Sequence, residues 1–135
     1  MNIFFPKEQD NETRFSLTGE TAQKFLKKDI NLSIQENINL QDALLEKLIE
    51  ENSINIVSRE EGLKSANIIC NLNKLSFDDI AKINPDTLAI SFLDPFNEKQ
   101  LIEEFRKKSI SSISMELIPR TTRAQKMDAL SSQAN

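Results

Sequence analysis

Short apolar runs of strand length alternate with amphipathic segments along the whole of this 135-residue chain. Such runs occur at residues 3–5, 30–34, 54–57, 66–70, 88–93 and 110–115. The run at 30–34 alternates strictly between apolar and polar residues, which is typical of a half-buried strand, and the run at 88–93 is the best continuous strand. Strands that alternate with helices through short links form βαβ units, so we expect an α/β fold with three layers and a mainly parallel sheet.

The segments between the predicted strands have the spacing and the capping residues of helices. Ala22, Phe25 and Leu26 form one apolar stripe, Thr18 can cap its start, and the lysines at 27–28 suit its C-terminal end. Further helices are predicted at residues 40–51, 59–65, 77–83 and 98–108, with another from residue 122 onward. Each predicted helix therefore follows a predicted strand, as βαβ units require.

The composition removes several classes of catalytic site. The chain has no histidine and one cysteine, Cys70, which excludes histidine-based triads and zinc sites rich in cysteine and histidine. Its two glycines, Gly19 and Gly62, lie too far apart to build a phosphate loop or a dinucleotide-binding fingerprint. The net charge of −4 argues against a nucleic-acid partner, since such binders normally carry a basic excess. We therefore expect no metal site and no nucleic acid.

No segment of the sequence has the pattern of a membrane span or an export signal. The N-terminus lacks a basic start followed by a long apolar run, and no stretch approaches about 18 consecutive apolar residues. The single thiol fits a reducing compartment. We therefore expect a cytoplasmic protein without direct membrane insertion.

Polar side chains occupy the loops after the predicted strands, where α/β proteins bind their ligands. Two interpretations of the basic residues among them stay open: an anion site for a carboxylate or phosphate, or ordinary surface charges in solvent. The loop residues in question are Lys7, Arg14, Asn71, Asn73, Asp94, Arg120 and Arg123.

The stretch after the last predicted strand is the most unusual part of the sequence. Pro119 stiffens its start, and Arg120, Gln125, Asp128 and Ser131 follow within twelve positions. These groups supply a guanidinium for an anion, an amide that donates and accepts, and a carboxylate acceptor. The same residues could instead begin a capped helix pinned by an ion pair between Arg120 and Asp128. On the residues alone, a binding loop and a helix start both stay open.

Two segments of the chain resemble the signature motifs of one enzyme family. Residues 119–135, PRTTRAQKMDALSSQAN, resemble the signature of the alpha subunit of proton-translocating NAD(P) transhydrogenase. Residues 6–18, PKEQDNETRFSLT, resemble the N-terminal motif that transhydrogenases share with alanine dehydrogenases. The order of elements between the two motifs also fits, so the resemblance to the alanine dehydrogenase/pyridine nucleotide transhydrogenase family spans residues 1–135.

The resemblance implies a fold and a domain organisation. The implied fold is a three-layer, Rossmann-like or flavodoxin-like α/β lobe, with residues 1–135 as the N-terminal lobe of the family. In the family, a glycine-rich NAD-binding lobe follows this region, and chain that returns after it completes the first lobe. This chain stops at Asn135. We therefore expect an incomplete first lobe and no glycine-rich lobe.

The resemblance also implies an activity. The family's alpha subunit binds NAD(H) between two lobes and passes a hydride to NADP⁺ on a separate domain, coupled to proton translocation. The implied hydride-transfer loop contains Arg120, Gln125 and Asp128, with Ser131 beside the nicotinamide ring and Arg14 as the family's early arginine. Hydride transfer depends on positioning two rings and needs no general base, so a chain without histidine can take part.

The implied partners are the remainder of the alpha subunit, the beta subunit with its NADP-binding domain, and a second alpha subunit. Such a complex would lie at the cytoplasmic face of the inner membrane and would bind NAD(H) and NADP(H). We expect the isolated chain to bind no cofactor and to be inactive.

Two alternatives to a transhydrogenase lobe stay open. One is a truncated, non-catalytic α/β module, either a split-gene remnant or a partner-binding fragment. The other is a fragment similar to alanine dehydrogenase. The second is disfavoured because Asn71 and Asp94 stand where alanine dehydrogenases have a lysine and a histidine.

Overall fold

A computed structural model describes residues 1–91 and 98–115 of the chain, in which strands and helices alternate. The strands are β1 (Asn2–Phe5), β2 (Asn31–Gln35), β3 (Asn55–Val57), β4 (Ile68–Cys70), β5 (Leu88–Ser91) and β6 (Ser111–Ser114). The helices are α1 (Gly19–Lys27), α2 (Ala43–Glu50), α3 (Arg59–Ser65), α4 (Phe77–Lys82) and α5 (Lys99–Lys107). The six predicted strands and the first five predicted helices are therefore present, and the helix predicted from residue 122 lies outside the described residues.

The strands form one sheet in the order β3-β2-β1-β4-β5-β6, and every neighbouring pair is parallel. The chain winds outward from β1 to β3, returns to the centre, and then winds the other way from β4 to β6. Because crossovers between parallel strands are right-handed, opposite winding places the helices on opposite faces of the sheet. The arrangement is a doubly wound, Rossmann-like α/β fold, which confirms the predicted fold class and parallel sheet.

Each face of the sheet has its own apolar core. The core under α1 and α2 contains Ile3, Phe5, Leu32, Ile34, Ala22, Phe25, Leu45 and Leu48. The core under α3, α4 and α5 contains Phe4, Ile69, Ala89, Leu63, Ile80, Leu101 and Phe105. The consecutive residues Ile3, Phe4 and Phe5 therefore alternate between two buried faces, which confirms the three predicted layers.

The prediction that residues 30–34 form a half-buried strand is wrong. Ser33 is buried like its neighbours Leu32 and Ile34, with only 4% of its surface exposed. Its hydroxyl donates a hydrogen bond of 3.1 Å to Oδ1 of Asn2 on β1, which replaces the lost contact with water. Strict alternation misleads here because β2 lies inside a parallel sheet that has helices on both faces.

Side-chain caps determine where the helices begin. Thr18, Asp42, Ser58 and Ser76 each accept a hydrogen bond from the backbone N–H three residues on, at the starts of α1 to α4. The predicted cap at Thr18 is thus confirmed. The prediction of helix from residue 40 is wrong, because Asp42 has extended backbone angles (φ −118°, ψ 107°) and caps a helix that begins at Ala43.

Candidate functional site

The structure brings its polar loops together at the carboxyl edge of the sheet, between β1 and β4. The two halves of the fold wind away from these strands in opposite directions, so the loops after them separate and leave a crevice. The loop after β1 consists of residues 6–18, and the loop after β4 consists of residues 71–76. Ligands of doubly wound proteins bind at this switch point, so these two loops form the candidate site.

The carboxylate of Glu8 lies across this crevice. Its Oε2 accepts a hydrogen bond of 2.8 Å from the N–H of Leu72, and its Oε1 accepts one of 3.1 Å from the N–H of Asn73. A second link lies nearby, where the hydroxyl of Ser16 donates to the carbonyl oxygen of Cys70 at 3.1 Å. The β1 loop is therefore clasped to the end of β4 at two points.

The surroundings of Glu8 oppose its ionisation. Burial raises the pKa of the Glu8 carboxyl above its ordinary value, and the nearby carboxylate of Glu12 acts in the same direction. The two backbone hydrogen bonds and the charge of Arg59 lower the pKa without offsetting the burial. Burial, together with the charge of Glu8, also raises the pKa of the Cys70 thiol to about 12. This thiol is therefore protonated and a poor nucleophile at pH 7.

Arg59, the first residue of α3, joins several elements of the sheet edge. Its guanidinium forms a two-pronged ion pair with Asp79 of α4, with N···O distances of 2.8 and 2.7 Å. Its Nη1 also donates to Oε1 of Gln35 at 2.9 Å and to the carbonyl oxygen of Lys7 at 3.1 Å. The N–H of Lys7 donates to the same oxygen of Gln35 at 2.8 Å. The start of the β1 loop is therefore fixed to the end of β2 and to two helices.

The ion pair between Arg59 and Asp79 keeps both partners charged. The hydrogen bonds to Asp79 raise the pKa of the Arg59 guanidinium, against the effect of burial. Burial opposes the ionisation of Asp79, but the hydrogen bonds and charge of Arg59, with hydrogen bonds from Ser76, lower the pKa of this carboxyl. Only 10% of the Asp79 side chain is exposed. The two charges are committed to each other, so the pair positions loops and offers no free carboxylate to a ligand.

Two buried polar atoms lie at adjacent positions where β4 and β5 end. Cys70 pairs with Ile90, so the next residues, Asn71 and Ser91, are neighbours across the two strands. Within the described part of the chain, neither Oδ1 of Asn71 nor Oγ of Ser91 has a hydrogen-bond partner. The side-chain amide of Asn71 donates to the carbonyl oxygen of Asn73. The position that alanine dehydrogenases fill with a lysine therefore carries a neutral, buried amide in this chain.

Arg14 lies in a groove on the solvent side of the β1 loop. The groove has a volume of about 430 Å³, and the loops after β1 and β2 form its walls. Its charged lining residues are Lys7, Glu8, Asp10, Glu12 and Arg14. The guanidinium of Arg14 donates to Glu12 at 2.7 Å, and 73% of the Arg14 side chain is exposed. The structure thus brings the predicted residues Lys7 and Arg14 to one groove, with Arg14 already in a surface ion pair.

The described residues do not fit the pyrophosphate of a dinucleotide. The loop after β1 contains no glycine, although a dinucleotide phosphate needs close approach to free backbone N–H groups there. The N–H groups of Leu72 and Asn73 already bind Glu8, whose carboxylate would repel a phosphate. Residues beyond these loops would therefore have to hold the phosphates of any dinucleotide.

Several predicted site residues lie outside the described residues. They are Arg120, Gln125, Asp128 and Ser131 of the implied hydride-transfer loop, and Asp94 and Arg123 of the predicted loop cluster. Conversely, sequence reasoning misses the positions of Glu8, Arg59 and Asp79. Serines precede the last two as recognisable helix caps, but no local signal pairs side chains that lie 20 residues apart.

Two further features are not found in the described ranges, 1–91 and 98–115. No group of three or more His, Cys, Asp or Glu side chains there is arranged to hold a metal ion. No helix there is both long and apolar enough to cross a bilayer.

The fold and the site together define a class: a doubly wound, Rossmann-like α/β lobe whose polar loops meet at the β1/β4 switch point. The family model described as "Alanine dehydrogenase/PNT, N-terminal domain" matches residues 4–135. The chain therefore belongs to the alanine dehydrogenase/pyridine nucleotide transhydrogenase family, and the resemblance of its two motifs to that family is confirmed.

Curated relatives are similar to the whole chain. It is 30% identical over 141 residues to the first of the separate chains that make up the NAD(P) transhydrogenase alpha subunit of Rickettsia prowazekii, and 28% identical over 136 residues to the NAD(P) transhydrogenase alpha subunit of Haemophilus influenzae. Both alignments cover all of this chain, which spans 37% and 26% of the lengths of those relatives. The crystal structure of a transhydrogenase from Sinorhizobium meliloti has the same fold, with a TM-score of 0.77 at 24% identity over 98% of this chain and 40% of that one.

Proposed function

We propose that this chain is the N-terminal lobe of the NAD(H)-binding alpha subunit of an NAD(P) transhydrogenase. In the complete complex it takes part in hydride transfer between NAD(H) and NADP(H), coupled to proton translocation. The observation that carries the proposal is the similarity of the whole chain to two transhydrogenase alpha subunits, at 30% and 28% identity.

The geometry of the switch point supports a lobe that faces a cofactor held elsewhere. Glu8 covers the backbone N–H groups that could have bound a phosphate, so the lobe does not compete for the pyrophosphate. Arg14 remains exposed beside the crevice, and its ion pair with Glu12 is a surface pair that costs little to exchange for another anion. We therefore assign Arg14 to the rim of the cofactor cleft.

The residues assigned to hydride transfer are those of the second motif. Gln125 would hydrogen-bond the nicotinamide carboxamide or a neighbouring domain, and Ser131 would lie beside the ring. Arg120 and Asp128 would pair with each other or orient the ring. None of these roles requires a proton to be removed from a substrate, because positioning of the two rings supplies much of the rate.

The proposal includes the remaining components of the complex. The glycine-rich lobe of the alpha subunit would bind NAD(H), a beta subunit or NADP-binding domain would bind NADP(H), and a second alpha subunit would complete a dimer. The chain would work at the cytoplasmic face of the inner membrane. By itself it would be catalytically inactive.

The test is hydride transfer in a restored complex. The chain is combined with a glycine-rich alpha lobe and the NADP-binding partner, and single-turnover transfer is followed by absorbance. We expect Gln125→Asn to slow transfer about tenfold or more, since about 1.4 kcal/mol of lost positioning is sufficient. Its melting temperature should stay close to that of the native chain.

The matched control is Gln23→Asn, which makes the same chemical change at an exposed position on α1. This variant should transfer hydride at the native rate. Loss of stability in Gln125→Asn with unchanged transfer per folded molecule would instead make the second motif structural. A restored complex without any transfer would contradict the proposed function itself.

A non-catalytic, partner-binding α/β module is the second candidate. It is favoured by the buried, neutral Asn71 at the switch point and by the fraction of its relatives that the chain spans, 26% and 37%. This candidate predicts that the restored complex assembles but transfers no hydride, so the same experiment separates the two.

A further inference from the structure

We propose that the free edge of β3 is a docking site for an extended, basic segment of a partner protein, which joins the sheet as an added strand. The surface, named here the β3 edge, consists of residues 54–58 and the groove between β3 and α2. The proposal is independent of the hydride-transfer function, because this edge lies two strands away from β1 and the switch point.

The backbone of the β3 edge is free to pair. β3 is the outermost strand of the sheet, with β2 as its neighbour. Val57 pairs with Gln35, and its carbonyl oxygen accepts a hydrogen bond of 2.9 Å from the N–H of Glu36. In a parallel ladder, alternate residues direct both N–H and C=O toward the same neighbouring strand. Val57 therefore faces β2, and the N–H and C=O of Ile56 face outward.

The β3 edge lacks the features that commonly keep sheet edges from pairing. Residues 52–58 contain no charged residue and no proline. The side chain of Ile56 is 46% exposed, although it is apolar and β-branched. An exposed isoleucine beside outward-facing backbone groups is the arrangement to which an extended peptide can add.

A groove of about 420 Å³ lies next to the exposed side chain of Ile56. Its aliphatic lining residues are Ile34, Ile38, Leu40, Ile49 and Ile56, and its charged lining residues are Glu36, Glu46 and Glu50. Among the described residues, no lysine or arginine lines it. Because alternate side chains of an added strand would point to the α2 side, they would lie over this groove.

The charge of the groove selects the partner. Aliphatic side chains of the added strand would contact the isoleucines, while lysine or arginine heads would reach the glutamates at the rim. A second copy docked through the same edge would bring two sets of three glutamates together, which like-charge repulsion opposes. The structure therefore favours a segment in which basic and aliphatic residues share one face over self-association.

The test uses the 135-residue chain and a short, end-blocked peptide. Isoleucine and lysine alternate along one face of the peptide, and threonine occupies the other face. On titration, we expect the amide resonances of residues 55–57 to shift and the amide of Ile56 to become protected from hydrogen exchange. A peptide with glutamate in place of lysine should bind at least about tenfold more weakly, and so should one with N-methyl groups at its strand-pairing amides.

Variants of the chain locate the binding. Ile56→Lys should weaken the lysine peptide about tenfold or more, since it places a charge on the edge at an already exposed position. The double change Glu46→Gln and Glu50→Gln should also weaken the lysine peptide and should leave the glutamate peptide no weaker. Glu20→Gln, on the exposed side of α1, is the matched control and should bind normally.

Three outcomes would overturn the proposal. The N-methylated peptide could bind as well as the unmodified one, which would show attraction of charge without strand pairing. Ile56→Lys could leave the affinity unchanged. The chain could also form a dimer that Ile56→Lys abolishes, which would make a second copy the occupant of the edge.

Discussion

Gly62 shows how one residue sets the distance between a helix and the sheet. It lies in α3 against the aromatic ring of Phe4 on β1. A Cβ atom at this position would lie 2.2 to 2.4 Å from three atoms of that ring. Phe4 is completely buried and has core on all sides, so its ring has little freedom to move away. The absence of a side chain at Gly62 therefore permits the close packing of α3 on β1.

We expect Gly62→Ala to lower the free energy of unfolding by about 1–3 kcal/mol, because the strain of overpacking exceeds the gain of about 1 kcal/mol in helix propensity. Urea denaturation at constant pH measures the change. When combined with Phe4→Leu, the loss should be smaller than the sum of the two single losses, because the smaller side chain leaves room for the methyl group. A more stable Gly62→Ala variant would contradict the close approach.

Glu8 gives the stability of the clasp a predictable dependence on pH. Burial raises the pKa of this carboxyl above its ordinary value of 4.5, so the folded chain binds the proton more tightly than the unfolded chain. The resulting contribution to stability is complete below the ordinary pKa and is lost as the pH rises through the raised value. We expect the unfolding free energy of the native chain, relative to Glu8→Gln, to fall as the pH rises from about 4 to 7. Urea titrations across this range test it, and a constant difference would contradict it.

At the scale of elements, α3 and α4 are joined through their first turns as well as through the core. Arg59 opens α3, and Asp79 lies in the first turn of α4, where it also forms a capping box with Ser76. The same guanidinium binds Gln35 at the end of β2. One ion pair therefore links two helix starts to the carboxyl edge of the sheet, so its loss should loosen that edge first.

We expect Asp79→Asn to lower the free energy of unfolding by about 2 kcal/mol near pH 7, because charge-assisted hydrogen bonds from Arg59 are lost. The pKa of Asp79 is lowered, so its stabilisation is present above the ordinary value of 3.8 and disappears as the pH falls through the folded-state value. The native chain and the variant should therefore converge in acid. Asp78→Asn, an exposed neighbour in the same turn, is the matched control for thermal and urea unfolding. An equal loss in both variants would argue against the ion pair.

At the scale of the whole molecule, the switch point has the topology of a nucleotide site without the chemistry to hold one. The strand order separates the loops after β1 and β4, yet Glu8 and the glycine-free β1 loop leave no phosphate cradle among the described residues. A lobe of this kind would contribute side chains to a cleft whose other wall binds the cofactor.

We expect the isolated chain to bind NADH no more tightly than about 1 mM, because it cannot place a pyrophosphate on a helix N-terminus. Isothermal titration of the 135-residue chain measures this affinity. The restored complex serves as the positive control, and micromolar binding by the isolated chain would contradict the prediction.

Local patterns in the sequence predicted most of the fold. Period-two apolar runs and the helical stripes located all six strands and five helices, because each pattern depends on neighbours a few residues away. The cap at Thr18 was equally local. The half-buried assignment of residues 30–34 failed because the burial of Ser33 depends on helices that cover the second face, which β2 alone cannot reveal.

What the sequence by itself determined is the class: alternating elements, a parallel sheet, no glycine-rich phosphate loop, and two motifs that belong to the transhydrogenase family. What only the tertiary structure decided is the strand order and the contacts made across it. Glu8 meets Leu72 and Arg59 meets Asp79 because β1 lies between β2 and β4, and no local preference encodes that order. The exposed edge of β3 has the same origin, since a strand becomes an edge only through the positions of the others.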